Sequence, residues 1–162
     1  MISIPVSDIK LFMNQLFLSE YFDSFLLSEA FFVTFSTFHI DGTFHPSYYS
    51  SEELEASGMA QTKYAYWKQM RPFCLSLIKG THTPLEFRIV FRLSPSNIER
   101  LLADQGITSF SVQDIDGLFL NLHYSEGSLR CTTGTSLTIF SLDKSLEHVW
   151  DDEVQKLLSR FY

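Results

Sequence analysis

Side chains able to do chemistry are few in this chain, and their spacing does not bring them together. Five histidines stand at His39, His45, His82, His123 and His148. None belongs to a His-x-x-x-His or His-Glu-x-x-His string, and there is no Cys-x-x-Cys, so the spacings that set two ligands side by side are missing. No metal is expected. Cys74 lies in an apolar run, where cysteine acts as a small hydrophobe, and Cys131 follows Arg130 in a strand-like segment. A nucleophilic thiol would need a depressed pKa in an electropositive niche. Asp114 and Asp116 are two residues apart, but DIDG lacks the later ligands of a calcium loop, and turn chemistry accounts for Asp116. Acid–base catalysis would need one carboxylate in an apolar pocket. With no G-x-G-x-x-G, Walker or G-x-S-x-G string, no cofactor is expected either.

Binding is a better use of the residues present. Arg88 and Arg92 alternate with Phe87, Ile89 and Phe91 and so share one strand face, with Arg130 expected nearby on the same sheet. They form either a solvated face paired with Glu86 or a face for an anion or a partner. Tyr48, Tyr49, Tyr64 and Tyr66 flank the acidic segment SSEELEASG and are the expected exposed aromatics, of a type enriched at contact sites. Asp151-Asp152-Glu153 reads as a solvated helix face that would also attract a basic partner.

Composition sets the frame. The chain has 162 residues, 45% of them hydrophobic and 15% aromatic, enough for one domain (1–162) with a substantial core. Its net charge of −7 disfavours generic binding to phosphate backbones, which takes clustered Lys and Arg. No apolar run reaches the ~20 residues that span a bilayer. Asp8, Lys10, Asn14 and Gln15 interrupt the N-terminal apolar pattern, which argues against a signal peptide. A cytoplasmic location is expected, with reduced cysteines.

The densest aromatic stretch, FFVTFSTFHIDGTFHPSYY over 31–49, reads as a β-hairpin turning at Asp41-Gly42, because a type I′ turn needs φ > 0 at both central residues. That register pairs Phe38 with His45. It buries Phe31, Val33, Phe35, His39, Phe44 and Tyr48, leaves Phe32, Thr34, Ser36 and Phe38 on a mixed face, and separates His39 from His45. Before it come a strand over 1–6 and a helix capped by Ser7 with stripe Phe12, Leu16, Phe17. SSEELEASG is either a short helix or a mobile loop. A helical pattern over 61–79 is interrupted by Pro72, which predicts a kink or two short helices. A linker over 81–84 leads to a strand over 85–93. Ser94-Pro95 marks a helix start. Strands are expected over 107–113, 118–124, 128–133 and 137–142, with turns at Asp116-Gly117, Glu126-Gly127 and Gly134. A final helix carries Leu146, Trp150, Val154 and Leu158.

IDGTF at 40–44 recurs as IDGLF at 115–119, and Trp67 aligns with Trp150. This predicts two pseudo-repeated halves, 1–80 and 84–162, each strand–helix–strands–helix. The fold class is α+β, an antiparallel sheet with helices on one face. The order of elements resembles the repeated units of the TATA-binding protein fold and of sliding DNA clamps. The opening segment FLLSEAFFVTFSTFHIDG resembles a small family of uncharacterised bacterial proteins. That resemblance implies a cytoplasmic bacterial protein without assigned activity, and it carries no functional residues across. The leading expectation is a non-enzymatic binding or assembly module acting on a protein partner or on its own copies. A clamp-like nucleic-acid protein and a small enzyme with an unrecognised pocket are the alternatives.

Overall fold

Six strands and five α-helices arise from these patterns in the computed structural model, which describes residues 1–162. In chain order they are β1 (Ser3–Pro5), α1 (Ile9–Phe17), β2 (Leu26–Val33), β3 (Thr37–Asp41), α2 (Ser51–Ser57), α3 (Trp67–Ile78), β4 (Glu86–Arg92), α4 (Pro95–Asp104), β5 (Ile115–Ser125), β6 (Ser128–Leu137) and α5 (Ser145–Leu158). The strands form one antiparallel sheet in the order β1-β6-β5-β4-β2-β3, which bears out the α+β class.

Alternation along each strand makes the sheet two-faced. Inward rows cross it, one through Phe32, Phe87, Tyr124 and Leu129, the next through Ala30, Ile89, Leu122, Cys131 and Ile4. They join residues of α1, α3, α4 and α5, among them Leu16, Trp67, Leu101 and Trp150, in one continuous core. Helix α2 contributes no buried residue. The other face, with Val33, Arg88, Val90 and Asn121, is exposed or half-exposed. The helices obey their caps. Ser94 Oγ accepts from Asn97 N–H ahead of Pro95, and Asp8, not Ser7, caps α1 through Leu11 N–H at 3.0 Å.

The predicted hairpin is displaced. The chain reverses at Thr34–Ser36, where Thr34 N–H donates to the Ser36 carbonyl, and Phe32 pairs with Phe38, Val33 with Thr37. The faces therefore exchange: Phe32 is fully buried, while Phe35, at the turn, is 92% exposed. Gly42 is required for close approach rather than for a turn. A Cβ there would sit 1.8 Å from the Leu27 carbonyl oxygen, while its φ is not in the left-handed region. The Asp41 carboxylate accepts from Thr43 N–H and Oγ1–H and turns the chain out of β3.

Other expectations shift for tertiary reasons. Residues 61–66 are not helical: Tyr64 bridges Thr43 and Tyr66 bridges Leu26, and α3 then runs unbroken through Pro72. Residues 107–111 form no strand, and 112–114 make a 3-10 turn. Asp116-Gly117 and Gly134 lie inside strands, because β5 and β6 make one long hairpin. Its turn is the expected Glu126-Gly127, with φ of 51° and 76°. Of the strand expected over 137–142 only Leu137 is in a strand, as the end of β6, and 138–142 is a loop in which Phe140 and Leu142 are exposed. SSEELEASG forms α2. Strand β4 pairs with β5 of its own half, whereas β1 pairs with β6 and not with β2, so the strand pairing of one half is not reproduced in the other.

Candidate functional site

The open face carries the expected arginines in two different settings. Arg88, His123 and Arg130 lie side by side on β4, β5 and β6, and Phe31 extends the row to His39, whose ring stacks on it at 4.2 Å. Most of this row is matched from within. One oxygen of Glu86 accepts from Arg88 Nε–H at 3.0 Å and meets His123 Nε2 at 2.9 Å, and these bonds hold the Glu86 carboxyl below the usual glutamate range. His39 lies 3.5 Å from Glu29, and Arg130 donates to Ser3 Oγ.

Arg92, on the same face, is held differently. Its guanidinium carbon lies 4.5 Å from the centre of the Tyr64 ring and 4.8 Å from that of Phe119, a cation–π setting that suits a partly desolvated arginine. Nη1–H donates to the Tyr64 hydroxyl at 3.1 Å and Nη2–H to the Asp116 carbonyl oxygen. The Asp116 carboxylate is 4.0 Å away, too far for a hydrogen bond. The side chain is 14% exposed, at the edge of a cleft of about 540 Å³, within the range of small-ligand sites.

Several elements build this cleft. The strand-like segment 63–66 is tied down by Phe44 N–H to Lys63 O, Ala65 N–H to Gly42 O and Leu27 N–H to Ala65 O, which sets Tyr64 and Tyr66 in its wall. The start of α4 contributes Pro95 and Ile98, and β5 contributes Ile115 and Asp116. Gly117 makes room for the arginine, since a Cβ there would lie 2.6 Å from the Phe119 ring and 3.0 Å from Arg92 Nη2.

Of the aromatic and basic residues singled out from sequence, Tyr64, Tyr66 and Arg92 converge. Tyr48 and Tyr49 do not line the cleft. They sit on the segment before α2, Tyr48 84% exposed and edge-on to Tyr49, which stacks on Phe44. Arg88 and Arg130 stay in their own row. Sequence reasoning missed Asp116 and Phe119 as neighbours of Arg92. No signal in the sequence marked them, because Asp116-Gly117 reads there as a turn ahead of the strand over 118–124.

A family model described as Family of unknown function (DUF5721) matches residues 15–161. The chain belongs to that family. The expected membership of an uncharacterised family is thereby borne out. No curated protein and no solved structure matches the chain.

The nucleophiles of this DUF5721 chain lie away from the cleft. Cys74 and Cys131 are buried, and burial pushes both thiols up to about 12, far from the low values that make a thiolate reactive. No three His, Cys, Asp or Glu side chains are grouped to hold a metal ion. The cleft lining contains no histidine, serine or cysteine, and its charged groups are Lys63, Arg92 and Asp116. Its makeup suits recognition. A cation with free donors stands among tyrosines beside an apolar wall. No helix is long and apolar enough to cross a membrane.

Proposed function

We propose that this DUF5721 chain is a non-enzymatic binding module of the bacterial cytoplasm that docks a protein partner at the Arg92 end of its open sheet face. One observation carries the reading. Two of the five guanidinium N–H donors of Arg92 are used inside the protein, and the group is fixed over two aromatic rings at a cleft edge. A buried structural arginine would have its donors matched by carboxylates or carbonyls. The exposed Tyr48 and Tyr49 lie on the segment joined to the cleft wall through Phe44 and Lys63, and they enlarge the contact surface.

A clamp-like nucleic-acid role would draw on the Arg88–His123–Arg130 row. The pairing with Glu86 and the net charge of −7 weigh against it. The test is affinity capture from a bacterial lysate with the intact chain and with Arg92→Gln, alongside light scattering. A partner or self-association that depends on Arg92, with the variant's circular dichroism unchanged, supports the reading. A strictly monomeric protein that retains nothing, or retains the same proteins without Arg92, overturns it.

A further inference from the structure

The geometry points to a carboxylate joined to an apolar body, as at the C-terminus of a polypeptide ending in a large apolar residue, as the group that the Arg92 cleft takes. This deepens the binding-module reading and rests on it.

The charge of the cleft selects an anion. Arg92 and Lys63 are its cations and Asp116 its one acid, a local excess of one positive charge in a chain of −7. The first turn of α4 borders the cleft at Pro95 and adds the positive end of a ten-residue helix. One firmly held cation matches a single negative charge better than a phosphate dianion, which favours several cations or a nest of backbone N–H groups.

The fork and the wall select its shape. With Nη1 and Nη2 each using one hydrogen bond inward, three N–H donors are left, a planar set that suits the two oxygens of a carboxylate. Asp116 does not occupy them. Its carboxylate stands 4.0 Å off and is 54% exposed, free to turn to solvent when another carboxylate arrives. Beside the guanidinium, Leu26, Leu93, Ile98 and Ile115 give the cleft an apolar wall. C-terminal carboxylate capture by a fixed donor set next to a pocket for the last side chain is an established mode of peptide recognition.

The experiment uses the intact chain and three probes, acetyl-Gly-Gly-Leu as the free acid, the same peptide as its C-terminal amide, and octanoate, followed by NMR shift titration. The free acid is expected to saturate with shifts at Tyr64, Tyr66 and Ile115, and the amide to bind at least tenfold more weakly. Arg92→Gln should lose at least tenfold. Asp116→Asn, which removes a competing negative charge from an exposed position, should tighten binding severalfold. That gain is not expected if Arg92 only supports the fold, and it can be read even if Arg92→Gln unfolds. Saturation by octanoate without the peptide upholds carboxylate recognition and assigns the site to a small apolar acid. Equal binding of acid and amide, no saturation by either acid, or no gain in Asp116→Asn overturns the assignment. Lysate capture that depends on Arg92 while both acids fail would sink this inference and leave the docking reading standing. Binding of the acids with nothing captured would do the reverse.

Discussion

Gly42 is the position where two physical readings of one motif part most sharply. A glycine serving a type I′ turn is replaceable by asparagine, which enters the left-handed region at little cost. Gly42 instead faces the Leu27 carbonyl oxygen, and any Cβ would lie 1.8 Å from it, whereas ordinary contact begins near 3.4 Å. Leu27 or Gly42 must therefore retreat by about 1.6 Å. That movement pulls apart the linked bonds Gly42 N–H to Ser28 O, Ala65 N–H to Gly42 O and Leu27 N–H to Ala65 O, all 2.8–2.9 Å. At about 1 kcal/mol each, with overpacking strain of about 1–3 kcal/mol, Gly42→Asn and Gly42→Ala should each cost about 4–6 kcal/mol. In a chain of this length that lowers Tm by about 8–24 °C. Gly127→Asn, at a true left-handed position with φ of 76° and open space around it, should cost no more than about 1 kcal/mol. Urea unfolding followed by tryptophan fluorescence compares the three variants. If Gly42→Asn loses no more stability than Gly127→Asn, the close-approach argument is wrong, and with it the account of how residues 63–66 are held against the sheet.

Two further outcomes follow from the ion pairs. Arg71 makes two hydrogen bonds to Asp23, Nε–H to Oδ1 at 2.9 Å and Nη2–H to Oδ2 at 2.8 Å, tying α3 to the segment before β2. Both side chains are largely shielded, so Asp23→Asn or Arg71→Ala should cost about 1.5–3 kcal/mol in urea unfolding; a change under about 0.5 kcal/mol would show the pair to be idle. The Glu86 carboxyl, held down first by His123 and then by Arg88, should titrate below the ordinary 4.5 in an NMR pH series. A depressed carboxyl stabilises the fold above its unfolded-state pKa, and that contribution fades as pH falls through the lower folded value. His123→Ala should move the midpoint back up; an unmoved midpoint would rule His123 out as the cause.

The residues of the cleft were legible in part. Arg92 stood out because Arg88 and Arg92 alternate with Phe87, Ile89 and Phe91, which puts them on the polar side of β4 whatever its neighbours are. Tyr64 and Tyr66 are recognisable by type, yet they sit in a helical pattern. That pattern gives way because residues 63–66 find their hydrogen-bond partners on Gly42, Phe44 and Leu27, between 19 and 38 positions away, where no local propensity reaches. Phe119 and Asp116 could not be joined to Arg92 without the pairing of Arg92 with Phe119 across β4 and β5.

Local chemistry within the sequence determined the elements whose ends are capped and whose faces alternate. Ser94-Pro95 began α4, Glu126-Gly127 turned the long hairpin, and the stripe from Leu146 to Leu158 made α5. It also determined that the chain builds an α+β sheet, since period-two runs and amphipathic helices bury their apolar sides in only a few ways. Tertiary structure alone decided what the two Ile-Asp-Gly motifs do. Nothing in three residues distinguishes a glycine that needs positive φ from one that needs empty space, because the difference lies in what stands opposite. Opposite Gly42 is a backbone carbonyl of β2, and opposite Gly117 are the Phe119 ring and the Arg92 guanidinium. Those neighbours turn apparent turn signals into the supports of the cleft.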